Sequence, residues 1–296
     1  MISVRKLFHV IFFATILFAP NECRTQSAIR DSTSSLPSFF NRKNVVTYGI
    51  IGFSAATIFV EYNWWWKGDY HTFVFQPQGW YGDHSLGVDK TGHFYTSYFI
   101  FGFIHDALKW AGADEKTNTL LSIAIPVFHA VSVEIGDGYS SYRFDPNDLT
   151  TNLAGVAYGY AQTQIPVLKN FNFKFSYYPS GLVPFDKNWD LAGDYDGHIY
   201  WLSCNVHDVL PQTWQQYWPR FLTLAAGYGA NNISRGTSGE TFRKFAIGFD
   251  YNINELPLTG DTWDMVKNIF DKFHFPAPGI RFIEQHPAEV KPLLLN

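Results

Sequence analysis

The spacing of the apolar residues changes at Pro166, and that change commits the chain to a two-part architecture. Upstream of it, long segments poor in charge carry their few polar residues at helical spacing. Downstream the period is two. Phe171, Phe173, Phe175 and Tyr177 alternate with Asn172, Lys174, Ser176 and Tyr178, and Phe245 to Ile253 alternates in the same way. Strict alternation predicts half-buried strands, and Phe221–Ala230 is expected to pair with Phe245–Ile253 across a loop rich in Asn, Ser and Gly. With His198–Val206 this makes about four strands. A closed membrane barrel needs at least about eight, so a small antiparallel sheet over residues 166–256 is expected. Residues 257–296 read as an amphipathic helix and tail. Asp261 caps that helix, Trp263, Val266, Phe270 and Phe273 share a face, and Pro276-Ala277-Pro278 stops it. The predicted fold class is α+β, a membrane-associated helical bundle of about four helices followed by the sheet and the C-terminal helix.

The first residues predict export. Arg5 and Lys6 precede an apolar stretch to Ala19, then Pro20 and a polar exit, the pattern of a signal peptide over residues 1–26. Glu22 stands where a lipidated Cys23 would need a small residue, so a lipobox is lacking. A Ser-rich linker occupies 27–44. Val45–Val60 then carries no charge and runs into Glu61 and the Trp64-Trp65-Trp66 triplet, which reads either as an interfacial anchor or as packing under a loop. Arg42 and Lys43 before this run would place its start in the cytoplasm, whereas a cleaved leader places it outside. A periplasmic or outer-membrane location removes that conflict. The aromatic content of 19% fits a partly membrane-bound surface, while a net charge of −4 without a basic stripe excludes nucleic acid.

Three further helices are expected in the bundle of residues 45–165, at Asp89–Trp110, Thr119–Ile135 with a bend at Pro126, and Asp148–Gln164. Gly155 and Gly159 on the last allow close approach of a neighbour. Each helix presents a polar pair on one face: Asp89 with His93, Glu134 with Asp137, and Asp148 with Asn152. Buried groups of this kind must pair, hydrogen-bond or hold a metal. One histidine among carboxylates suits an oxygen-preferring divalent cation or a general acid and base. His93, Glu134 and Asp137 are therefore the candidate catalytic residues and the candidate cation ligands, with Asp89, Lys90, Asp148 and Asn152 as binding residues. Asp145 before Pro146 reads as a helix cap, Asp89 reads equally as a cap or as a site residue, and His129 reads as structural. No phosphate loop, HExxH, GxSxG or Cys/His cluster occurs.

At these residues the chain resembles an uncharacterised bacterial envelope family, the domain of unknown function typified by the YfiM lipoprotein. Asp89-Lys90 with His93-Phe94, Glu134 with Asp137-Gly138, and Asp148 with Asn152 and Gly155 carry the likeness. The later segments resemble the longer members found in Bacteroidota, and Asp-Lys-x-x-His on an apolar helix is faintly similar to the VanZ-like membrane proteins. The resemblance implies an envelope location and no particular chemistry. The expected function is thus a membrane-associated envelope protein, structural or binding lipid or a small molecule. The alternative is a membrane-interface enzyme, metal-dependent or acid–base, acting on lipid or lipid-linked substrates.

Overall fold

A computed structural model describes residues 41–181, 191–233 and 240–295; the signal peptide and the linker as far as residue 40 lie outside the described residues. Asn41 accepts the Asn44 amide on its side chain, an N-cap that starts helix α1 (Arg42–Glu61) just ahead of the apolar run. The helix ends in a wider π-type turn, Tyr62–Trp66, which resets the direction of the three tryptophans. Helices α2 (Val88–Trp110), α3 (Glu115–Gly138) and α4 (Pro146–Gln164) follow.

Their starts are set locally. Asp145 caps α4 with Pro146 in the first position, as the spacing predicts, while α3 starts four residues before the expected Thr119, capped by Asp114 through the Thr117 amide. Asp89 does not cap α2. Asp83 accepts the Gly87 amide at 2.6 Å and the Ser85 hydroxyl accepts the Asp89 amide at 3.1 Å, which leaves the Asp89 carboxylate for other partners. Gly155 brings α4 against α2: a Cβ there would lie 2.1 Å from the Phe94 carbonyl oxygen. The apolar core of this half joins Val46 of α1, Ile100 and Ile104 of α2, and Met265 from the C-terminal helix.

The sheet has six strands in consecutive order, every neighbouring pair antiparallel: β1 (Phe171–Tyr177), β2 (His198–Cys204), β3 (Leu222–Asn231), β4 (Phe242–Tyr251), β5 (Ala277–Ile283) and β6 (Glu289–Leu294). Short helices α5 (Val206–Val209) and α6 (Gln212–Gln215) lie between β2 and β3, and α7 (Asp261–Phe270) between β4 and β5. The chain is therefore α+β, a helical region followed by an antiparallel sheet. Two strands more than expected come from the segment read as a tail, where Pro278, Gly279 and Pro292 interrupt the alternation that marks a strand. The α7 face also differs from expectation. Met265 is buried, whereas Trp263 and Phe270 are exposed, because the core that α7 joins lies on α1 and α2.

Residues 272–274 pair with the free edge of β1, Phe175 donating to the Lys272 carbonyl at 3.0 Å and accepting from His274 at 2.9 Å. Ser176 donates to the Leu295 carbonyl at 2.5 Å, so the sheet curls until its last strand meets its first. Inside the curl Trp201 stacks on His274 at 3.9 Å and packs with Ile199, Ala246 and Leu294. Lys174 there pairs with Asp250 and Asp271, each at 2.9 Å. On the other face of the sheet Phe173 and Phe175 receive Phe94 and Tyr95 of α2, which joins the two halves.

Gly155→Ala is expected to destabilise the protein by about 1–3 kcal/mol, since its Cβ meets backbone that must move. Gly49→Ala, with nothing within 4 Å on the solvent side of α1, is expected to be neutral or stabilising by about 0.5–1 kcal/mol. Denaturant midpoints of the two variants measure the difference.

Candidate functional site

The N-terminal turns of α2 and α4 and the last turns of α3 meet around one group of acids. Lys90 is 3% exposed and binds Asp148 at 2.8 Å and Asp145 at 3.0 Å, with Asp83 at 3.6 Å. Burial pushes the Lys90 ammonium down, but Asp148 and Asp145 outweigh it and hold the group above its usual range. Lys90, read from sequence as a binding residue, is thus enclosed in an ion-pair network. Asp145 does more than cap: it also accepts the Gln78 amide at 3.2 Å.

One turn on from Asp89, the His93 Nε2 atom lies 3.7 Å from an Asp89 oxygen and 3.9 Å from an Asp148 oxygen. One ligand atom from each of the three residues falls within 4.8 Å of the others. The other ring nitrogen, Nδ1, meets the Asn152 amide nitrogen at 3.0 Å. Asn152 is itself oriented: its oxygen accepts the Ser97 hydroxyl at 2.7 Å and its nitrogen also donates to the Asp148 carbonyl at 3.0 Å. Nδ1 therefore accepts, and the neutral ring carries its proton on Nε2, facing the two carboxylates. Burial pushes the His93 pKa down, yet Asp89, Asp148, Glu134 and Asp137 together raise it above 6.5.

Glu134 and Asp137 belong to the same electrostatic group but not to the close triad. Asp137 accepts the Trp66 indole N–H at 2.8 Å, and the Trp66 ring fills the space that a Cβ on Gly136 would need. Glu134 accepts the Asp145 amide at 3.1 Å through one oxygen, while its other oxygen is buried without a hydrogen-bond partner among the described residues. Burial raises Glu134 to about 8 and Asp137 to about 6, and it raises Asp148 to about 6 against the pull of His93. A proton on Glu134 accounts for the unpartnered oxygen, since a neutral acid costs less to bury than a carboxylate. The three groups that could hold a cation are accordingly Asp89, His93 and Asp148, where the sequence pointed to His93, Glu134 and Asp137.

Asp89, His93, Asp137, Asp148 and Asn152 line a cavity of about 380 Å³. Its aromatic wall comes from outside the helices: Tyr195 donates to Asp89 at 2.8 Å, and Tyr200 of β2 stands beside Gly92. At the far side His129 Nε2 meets Glu61 at 2.7 Å, next to Trp65. Sequence reasoning missed Tyr195, Tyr200 and the Glu61–His129 pair. The only signal for the last was a lone acid closing an uncharged run, with no partner at helical spacing. The arrangement can orient a polar group against His93 and exchange a proton with it, within walls that are largely aromatic.

Each of Glu134, Asp137, Asp148 and His93 binds its proton more tightly folded than unfolded, so the stability they contribute is lost as pH rises through the folded values. For Glu134 that window runs from 4.5 to about 8, and for the two aspartates from 3.8 to about 6. In protein treated with a chelator, the melting temperature should fall between about pH 5 and about pH 8.5. Glu134→Gln should flatten that fall by about 1–2 kcal/mol of stability. A melting temperature that rises over the same interval contradicts this protonation pattern.

No curated protein and no solved structure matches the chain. Residues 77–164, which contain every helical residue of the triad, match the family model described as predicted periplasmic lipoprotein, a domain of unknown function (DUF2279), which places the chain among exported envelope proteins on the periplasmic or outer-membrane side.

Proposed function

We propose that this envelope protein is a membrane-interface acid–base site for a lipid or lipid-linked ligand, with His93 as the proton-exchanging group. The observation that carries the reading is the His93 Nε2 proton, directed by Asn152 toward Asp89 and Asp148 in the wall of an open cavity. A cluster whose only role was to satisfy itself would have no need of that opening. The aromatic wall supplies contact area for an apolar tail, and the acid-rich wall suits the polar head of the same molecule. Asp89 and Asp148 position the imidazole and stabilise its protonated form, while Tyr195 and Lys90 hold the two carboxylates in place.

A divalent cation on Asp89, His93 and Asp148 is the second reading, favoured by the closeness of the three ligand atoms. Nε2 can bind a cation only without its proton. That would require Nδ1 to carry one, and Asn152 to turn its amide over and release the Asp148 carbonyl. The acid–base reading needs no such rearrangement.

Nitrogen NMR of the His93 ring separates the two. The Nε2–H tautomer and a ring pKa above 6.5 are expected, and Asp89→Asn should lower that pKa. A metal-free ring protonated on Nδ1 would overturn the acid–base assignment. Asn152→Asp should move the proton to Nδ1 and raise Mn²⁺ affinity above that of the wild type by about tenfold or more. His93→Gln removes one of the two cations that oppose the acids, so it should cost about 1–2 kcal/mol of stability without unfolding the protein, and abolish complementation of a deletion strain. Unfolding in step with loss of complementation would return the site to a structural role.

A further inference from the structure

The sheet carries apolar residues on both faces and keeps the charged strand residues Lys174, Lys244 and Asp250 inside the curl, beside the Trp201 cluster. Its side chains fall on two faces, and the register assigns each. One face carries Lys174, Ser203, Thr223, Lys244 and Asp250, each no more than 2% exposed and turned into the curl. The opposite face carries cross-strand rows that are apolar: Leu202, Ala226, Ile247, Ile280 and Val290 in one, and Tyr228, Phe245 and Phe282 in the next. Leu224 and Phe249 begin a third. α2 covers this face at β1 and β2 and reaches the Tyr228 end of β3, where the Tyr228 hydroxyl donates to the Leu86 carbonyl. Beyond them it is open, with Ile247 59%, Phe245 45% and Val290 79% exposed.

We infer that the open face of β3 to β6 is a lipid-contacting surface that sits in the hydrocarbon of one membrane leaflet. Charge complementarity selects this occupant. Across the apolar rows no side chain is charged, while the lysines and the aspartate of β1 and β4 are sequestered inside, the distribution that matches an uncharged hydrocarbon phase. The dimensions agree. Phe245 to Phe249 spans about 14 Å along β4 at the usual strand rise, close to half of a hydrocarbon core about 30 Å thick. The rims are those of a membrane boundary. Arg243, 3.5 Å from Glu284, closes one end of the rows, and exposed Trp214, Tyr217 and Phe221 cluster beyond the other. This surface is distinct from the His93 cavity, so it stands or falls independently of the acid–base reading.

The test uses the full chain with Cys23→Ser and Cys204→Ser, carrying a bimane probe on Ile247→Cys, Phe282→Cys or, as a control, Thr150→Cys on α4. Each sample is reconstituted with vesicles of phosphatidylethanolamine and phosphatidylglycerol, with and without bromine on the acyl chains. The probes at 247 and 282 should lose about half of their emission or more to brominated chains, as groups in hydrocarbon contact do, and the probe at 150 should lose little. Equal quenching at all three positions, or none at 247 and 282, overturns the inference. So does a detergent-free dimer, seen by sedimentation, in which the probe at 247 is shielded without lipid, since a second copy would then be the occupant.

Discussion

Lys90 is the contact on which the site depends. Six acids, Asp83, Asp89, Glu134, Asp137, Asp145 and Asp148, crowd the meeting point of α2, α3 and α4, and within that network Lys90 and His93 are the cations that oppose them. Full ionisation of all six would leave a buried surplus of negative charge that no packing could offset. Lys90 binds three of the acids directly and fixes the loop before α2, the cap of α4 and the first turn of α4 in one step. The remaining charge is relieved by protons, on Glu134 above all. The high proton affinity of the site thus follows from its composition, and the reactivity proposed for His93 is a by-product of an arrangement that first has to be stable.

The helices and the sheet then share a single apolar seam. Phe94, Tyr95 and Tyr98 of α2 take up Phe173, Phe175 and Tyr200, and of these strand residues Phe175 and Tyr200 also wall the cavity. The family match stops at residue 164, before the first strand. The acid network lies within the matched residues. Tyr195 and Tyr200, which close the cavity over it, lie outside the matched residues.

Much of this was legible in the sequence. The switch of period at Pro166 marked the boundary between helices and sheet, and Asp145-Pro146 marked the start of α4, because caps and periodicity are local properties. The convergence of Asp89, His93, Asp148 and Asn152 followed from pairs spaced one turn apart on two apolar helices. What local pattern could not give was the division of labour among the acids. Whether Asp137 faces His93 or Trp66 depends on a π-type turn 71 residues away, and whether Asp89 caps α2 depends on Asp83 and Ser85 doing so first. Likewise β5 and β6 were hidden by prolines that edge and bulge positions tolerate, since only the assembled sheet shows where a missing N–H costs nothing.

Asn152 shows how far one amide can decide a chemistry. Its nitrogen donates to the Asp148 carbonyl, which can only accept, and its oxygen accepts from Ser97, so the nitrogen faces His93 and the imidazole proton lies on the side of Asp89 and Asp148. Reversing the amide would cost the bond to the Asp148 carbonyl and set the amide oxygen against that carbonyl. With that proton in place the cluster is a proton donor flanked by two acceptors. Without it the same three residues are a set of cation ligands. The spacing of the carboxylates is compatible with both states, and it is the buried Asn152 amide, held between the Asp148 carbonyl and the Ser97 hydroxyl at the cavity wall, that selects the first.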